Sequence, residues 1–251
     1  MNTRYLGRAL VLSLVVGSAG FPSRAAAVGV TDVISGIKTA YDVYSKYQGN
    51  QLTLAQATSQ MIYAINTAKT EILARIDGIA AADAKACSKA AITTFGDIQY
   101  LSWDSKQHLA TDSLECLLMI EAYLEVVEDK AAVDKLGFAL NALGPVVMMA
   151  RVHAGLPRSH VVSDAVLNGN YAVIAKLFPR CVTYTLWGDS SGGVVEQNIK
   201  CTAYNGDYGW AWSWVGDPGQ AQKKVAAQNT ATRNTSRAVA QALRSVVPSP
   251  G

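Results

Sequence analysis

Residues 188–193 read Gly-Asp-Ser-Ser-Gly-Gly, a run that places hydroxyls, a carboxylate and glycine N–H groups side by side. A serine in such a loop could attack a carbonyl, with backbone N–H groups receiving the developing oxyanion. That chemistry also needs a histidine base beside the serine and a third group to orient it. The histidines available are His108, His153 and His160, all upstream. The same letters also describe a plain turn, because Gly, Ser and Asp are turn formers.

The run resembles the Gly-Asp-Ser-Gly-Gly nucleophile loop of trypsin-like serine proteases, over this short stretch only. An extra serine separates Asp189 from the glycines and alters the spacing. No histidine lies in the matching context, and the preceding chain reads as helices rather than a barrel. Residues 188–193 are therefore read as a hairpin loop. Labelling of Ser190 or Ser191 by a fluorophosphonate would be the sign of an enzyme. No catalytic residue is assigned. There is no Cys-x-x-Cys, and the histidines lack ligand spacing, so neither a metal nor another cofactor is expected.

A second cluster suits binding. Tyr208, Trp210, Trp212 and Trp214 alternate through "YGWAWSW" and so share one face of a strand. Together with Trp187 they could stack on sugar rings or anchor a partner. The plainer reading is core. A three-stranded sheet needs a cover, so this face is expected to pack on helices, with Trp187 or Trp214 exposed at the rim. A third group is basic: Lys223, Lys224, Arg233, Arg237 and Arg244 follow Asp217 with no acid among them. It could dock on an acidic partner, an anionic lipid face or the acidic helices of its own chain.

The elements that must hold these groups begin after a targeting segment. Arg4 and Arg8 precede the apolar run 9–21, and Ala25 and Ala27 supply small residues for cleavage after Ala27. The segment contains Arg4, Arg8 and Arg24 and no acid, so it accounts for the whole formal charge of +3. A neutral processed chain has no overall basic field to draw nucleic acid. All four cysteines lie beyond the segment, which fits export and two disulfides. Spacing favours Cys87–Cys116 between two helices and Cys181–Cys201 across a hairpin.

From residue 31 to about residue 178 the apolar period is helical. The first helix should stop at Gly49-Asn50. A second carries Ile62, Ile65, Ile72, Ile76 and Ile79 as a stripe. A later one is capped by Asp112 or Ser113, with Glu115, Glu121, Glu125 and Glu128 mainly on its solvent side. The segment 136–150 has no charge and is interrupted by Pro145. Beyond Cys181 the period becomes two, and three strands follow. A type I′ turn on Asn205-Gly206 would set Cys201 opposite Trp210. Asp217 and Pro218 then open one terminal helix.

The expected fold is thus α+β, mainly α. A signal peptide (1–27) precedes a bundle of long helices (28–178). A disulfide-closed three-stranded antiparallel meander (179–216) packs on the bundle, and a basic C-terminal helix and tail (217–251) complete the chain. The expected function is that of a secreted, non-enzymatic binding protein. It would serve as an adaptor or subunit of an extracellular assembly, such as a bacterial toxin complex, with another secreted protein as partner. Two alternatives remain. The uncharged segment is similar in architecture to α-pore-forming toxins, which would make the partner a membrane. The tryptophan row would make it a polysaccharide or cell wall.

Overall fold

The computed structural model describes residues 30–185 and 196–247. These form eight helices and a three-stranded sheet: α1 (Val30–Gln48), α2 (Leu54–Asp77), α3 (Ala82–Phe95), α4 (Trp103–Val126), α5 (Lys130–His153), α6 (His160–Lys176), β1 (Arg180–Thr185), β2 (Glu196–Thr202), β3 (Tyr208–Trp214), α7 (Gln220–Thr232) and α8 (Ser236–Leu243). The fold is α+β, mainly α. The expected signal peptide (1–27) and the expected hairpin loop 188–193, with Trp187, lie outside the described residues.

Local chemistry explains most helix ends. α1 stops at Gly49-Asn50, where Asn50 takes a φ of 56° and the Gln51 N–H reaches back to the Lys46 carbonyl. α2 opens with a capping box between Thr53 and Gln56. α4 begins at Trp103, capped by the Ser102 hydroxyl on the Ser105 N–H. Asp112 and Ser113 therefore lie inside a helix that starts well before them. The expected Ile62 is only half-buried, whereas Ile65, Ile72 and Ile76 are buried.

α5 is the axis of the bundle, packed by α1, α2, α3, α4, α6 and α8. Every residue from Leu136 to Ala150 is buried. A helix apolar on all sides must be enclosed or lie in a membrane, and here it is enclosed. Pro145 does not interrupt it, contrary to expectation. The chain stays helical through the proline because neighbours pack against it on every side. Polar groups also enter this core. Asn141 and Asn170 exchange amide hydrogen bonds of 2.7 and 3.0 Å. The Tyr41 hydroxyl lies against Gly144, is buried and has no hydrogen-bond partner among the described residues. An unpaired buried hydroxyl costs about 1–3 kcal/mol. Tyr41→Phe is therefore expected to stabilise the protein by about 1 kcal/mol, raising Tm by roughly 2–4 °C in a thermal melt.

Both disulfides have the expected pairing. Cys87–Cys116 ties α3 to α4, and Cys181–Cys201 joins β1 to β2. The sheet is antiparallel in the order β1-β2-β3. Cys181 lies directly across from Cys201, as the hairpin spacing requires.

The second hairpin departs from expectation by one residue. Cys201 pairs with Gly209, and Lys200 pairs with Trp210. Gly206 has a φ of 88°, while Asn205 keeps a negative φ. The turn is thus the three-residue loop Tyr204-Asn205-Gly206 closed by the Ala203 N–H on the Asp207 carbonyl, not a two-residue type I′ turn. A shift of one residue sends every side chain of β3 to the opposite face. Gly209, Ala211 and Ser213 join Cys181, Ile199 and Cys201 inside, and the aromatic residues turn outward.

The inner face packs on α7 instead of the bundle. Ile199, Cys201, Ala203, Ala227 and Ala231 make a small core of their own. A side chain at Gly209 would run into the Ala227 carbonyl and Thr230, so glycine there sets how closely α7 approaches β3. The expected single terminal helix is two. α7 belongs to the sheet, whereas Val239, Ala240 and Leu243 of α8 belong to the bundle core.

Candidate functional site: an exposed aromatic face

The outer face of the sheet is built from three rows. β3 contributes Tyr208, Trp210, Trp212 and Trp214, with exposures of 55, 47, 59 and 42%. The central strand β2 contributes Glu196, Asn198, Lys200 and Thr202, and β1 contributes Arg180, Val182 and Tyr184. The expectation that this face packs on helices is overturned. The flip of β3 gives the helix small side chains and gives solvent the rings.

The rings are arranged by mutual contact and by cations. Tyr184 and Trp210 have centroids 6.2 Å apart, and Tyr208 meets Trp210 nearly edge-on at 6.4 Å. The Lys200 ammonium sits 5.2 Å from the centroids of both Tyr208 and Trp210. At the far end, Lys223 lies 4.5 Å from the Trp214 ring and donates to Asp217 at 2.8 Å. Trp212, Trp214, Glu196 and Lys223 line a shallow depression of about 180 Å³. It offers two indoles beside a carboxylate and an ammonium. Asn198 Oδ1 is enclosed without a hydrogen-bond partner.

Asp217 fastens this end. It also accepts from the Ser213 hydroxyl at 2.9 Å and the Gly219 N–H at 2.7 Å. The Lys223 bond holds its carboxyl below the ordinary value of 3.8, against the opposing effect of burial and with help from Gly219 and Ser213. Because the folded carboxyl releases its proton more readily than the unfolded one, its stabilising effect is full above that ordinary value. It is lost as pH falls through the lowered folded value. In urea unfolding series from neutral to strongly acidic pH, Asp217→Asn is expected to flatten part of the acid limb. The neutral midpoint should fall as well.

The basic candidates do not form one surface. Lys223 belongs to the Trp214 end of the face. Lys224, Arg233 and Arg244 are exposed, and Arg244 lies over the Tyr171 ring at 5.2 Å. Arg237 is only 4% exposed, donates to the Ile174 carbonyl at 2.9 Å and covers Phe178. It is a packing residue, not a docking residue. It lies on α8, which Arg244 ends, whereas Lys223 and Lys224 lie on α7 and Arg233 ends it. Glu115, Glu125 and Glu128 are exposed and Glu121 half-buried. Among the described residues no group of three or more His, Cys, Asp or Glu is placed to hold a metal ion.

The signal for the outward face was present in the sequence. Gly209, Ala211 and Ser213 alternate with the aromatics, and Ala227 and Ala231 are four apart on α7. Small residues on a strand and on the following helix are what close packing of the two requires. No known protein family, curated protein or solved structure matches this chain.

Proposed function

We propose that this chain is a secreted, non-enzymatic binding protein that holds an extracellular polysaccharide on the outer face of its sheet. The observation that carries the proposal is the composition of that face. The four rings of β3 run beside a central row of hydrogen-bonding side chains, Glu196, Asn198, Lys200 and Thr202, with the single ring of Tyr184 on the β1 side. Pyranose rings offer C–H faces that stack on aromatics and hydroxyl edges that take polar partners. Protein–protein interfaces favour the reverse layout, with an apolar centre depleted of Lys and Glu inside a polar rim. The β3 row extends over roughly 20 Å at the strand rise, longer than one sugar ring, which favours a polymer. Two disulfides are compatible with an extracellular location.

The alternative based on α5 has less support. That helix is long and apolar enough to cross a membrane, but it is the bundle's core and carries the buried Asp134 and Asn141. Such groups are costly in a bilayer.

The test is a pull-down of the processed protein with insoluble peptidoglycan, chitin and cellulose, read together with tryptophan fluorescence. Retention on at least one polymer, with a spectral change, is the expected result. Retention on none, together with a stoichiometric protein co-purifying from culture supernatant, would overturn the glycan reading in favour of an adaptor.

A further inference from the structure

We propose that a cleft at one end of the helical bundle, far in sequence from the aromatic face, binds a small organic anion through Arg151 and Arg158. The cleft lies between the last turns of α1 and α5 and the first turn of α6, and its volume is about 350 Å³. That is the scale of ligand pockets.

The charge of the cleft is one-sided. Both guanidiniums line it, and no Asp or Glu is among its lining residues. Among the described residues neither arginine has a carboxylate partner. The Arg151 Nη2 donates to the Pro157 carbonyl at 3.1 Å, which fixes the arginine against the loop before α6. Its Nε is enclosed and finds no acceptor. A guanidinium held in place with its Nε unpaired is half of a charge-assisted pair, and an oxyanion is the other half.

Three further features point the same way. Ser159 lines the cleft and is the N-cap of α6, yet its side chain makes no capping bond, and the first turn of α6 has no acid. The helix terminus therefore adds positive potential and free N–H groups beside the arginines. Tyr44 and Tyr47 offer rings and hydroxyls on the α1 side. Burial raises the Tyr44 phenol, while Arg158 and Arg151 both act to lower it, which places it in the field of both cations. The loop itself is preset. Gly155 has a φ of 66° and packs against Trp103, and the Leu156 N–H bonds the Arg151 carbonyl at 2.9 Å. The ligand class is therefore a carboxylate or phosphate with a small apolar or aromatic body, the head on the guanidiniums and the body against Tyr44, Tyr47 and Val162.

Thermal shift and calorimetry on the full processed chain would use phosphate, phenyl phosphate, acetate and benzoate, with sodium chloride at matched ionic strength. A saturable rise in Tm is expected for at least one probe, and greater for the aromatic member of its pair. Arg158 is exposed, so Arg158→Gln should fold as the parent does while weakening that probe roughly tenfold or more. Arg151→Gln should have a similar effect. The proposal is overturned if no probe exceeds sodium chloride at about 10 mM. It is equally overturned if the shift survives in the double arginine variant. Trp210→Ala should leave the shift unchanged, which separates this site from the glycan reading.

Discussion

Replacing Trp210 and Trp212 together by alanine is expected to reduce polysaccharide retention to background while leaving the fold intact. Each indole is about half exposed. Truncating a central aromatic anchor in an interface costs about 2 kcal/mol or more, roughly 30-fold in affinity. Two such losses on one face approach a thousandfold if they add. The stabilising contacts of this region lie on the other side of the sheet, where Ile199 and Cys201 meet Ala227 and Ala231. Trp210 does touch Tyr184 and Tyr208, so a small stability loss of about 1 kcal/mol is expected. The comparison variants are Tyr63→Ala and Tyr100→Ala, exposed aromatics of the bundle that should leave retention unaltered. Depletion isotherms on the retaining polymer, with urea unfolding of each variant, check both halves of the prediction.

Asp134→Ala is expected to produce the largest stability loss, roughly 2–4 kcal/mol, because the buried Ser236 N–H is left unpaired and the part-buried Tyr204 hydroxyl loses its acceptor. This carboxylate is 3% exposed and sits on the central helix. It accepts from the Ser236 N–H at 2.6 Å and from the Tyr204 hydroxyl at 2.8 Å, with Arg75 at 4.0 Å. Ser236 is the first residue of α8, and the N-cap Thr235 makes no side-chain cap. Asp134 thus caps α8 from across the fold. It also anchors the β2–β3 turn, where burial and the carboxylate itself hold the Tyr204 phenol well above its usual range. Against a total stability of about 5–15 kcal/mol, the loss is large. Asp134→Asn keeps an oxygen for the Ser236 N–H and should lose less. Urea midpoints of Asp134→Ala, Asp134→Asn and Tyr204→Phe should rank in that order, from lowest to highest.

The parts of the fold legible in the sequence are those decided locally. Gly49-Asn50 ends α1 because its backbone chemistry is sufficient. The Cys181–Cys201 register follows from strand spacing alone. The second hairpin was not legible in the same way. Asn-Gly serves both a two-residue turn and a three-residue loop, and the choice rests on the φ of Asn205. On that one torsion depends whether three tryptophans face a helix or solvent. The break between α7 and α8 has no glycine or proline to mark it. Its determinant is Asp134, about a hundred residues earlier in the chain. The start of α4 was hidden because residues 103–108 carry no apolar stripe, and Ser102 is no more obvious a cap than Asp112 or Ser113. Pro145 signals a break that tertiary packing overrides. The arginine cleft draws on α1, α5 and α6, so no single stretch of sequence announces it.

The small core under the sheet does not merge with the core of the bundle, and this has a mechanical consequence. If the face holds an insoluble polymer, as proposed, load passes from the face to the body. Cys181–Cys201 prevents β1 and β2 from sliding apart. The pull then passes along the main chain, through residues 177–179 between α6 and β1 and through the short connection between α7 and α8, with Tyr204–Asp134 and the 2.8 Å bond from Asn234 to Asp207 as side ties. Leu177, at the bundle end of the first connection, is buried in the bundle core, so the load enters the body at the end of α6. On the proposed reading, the sheet would act as a grip fastened to its handle at two points of the main chain, steadied by a few polar ties.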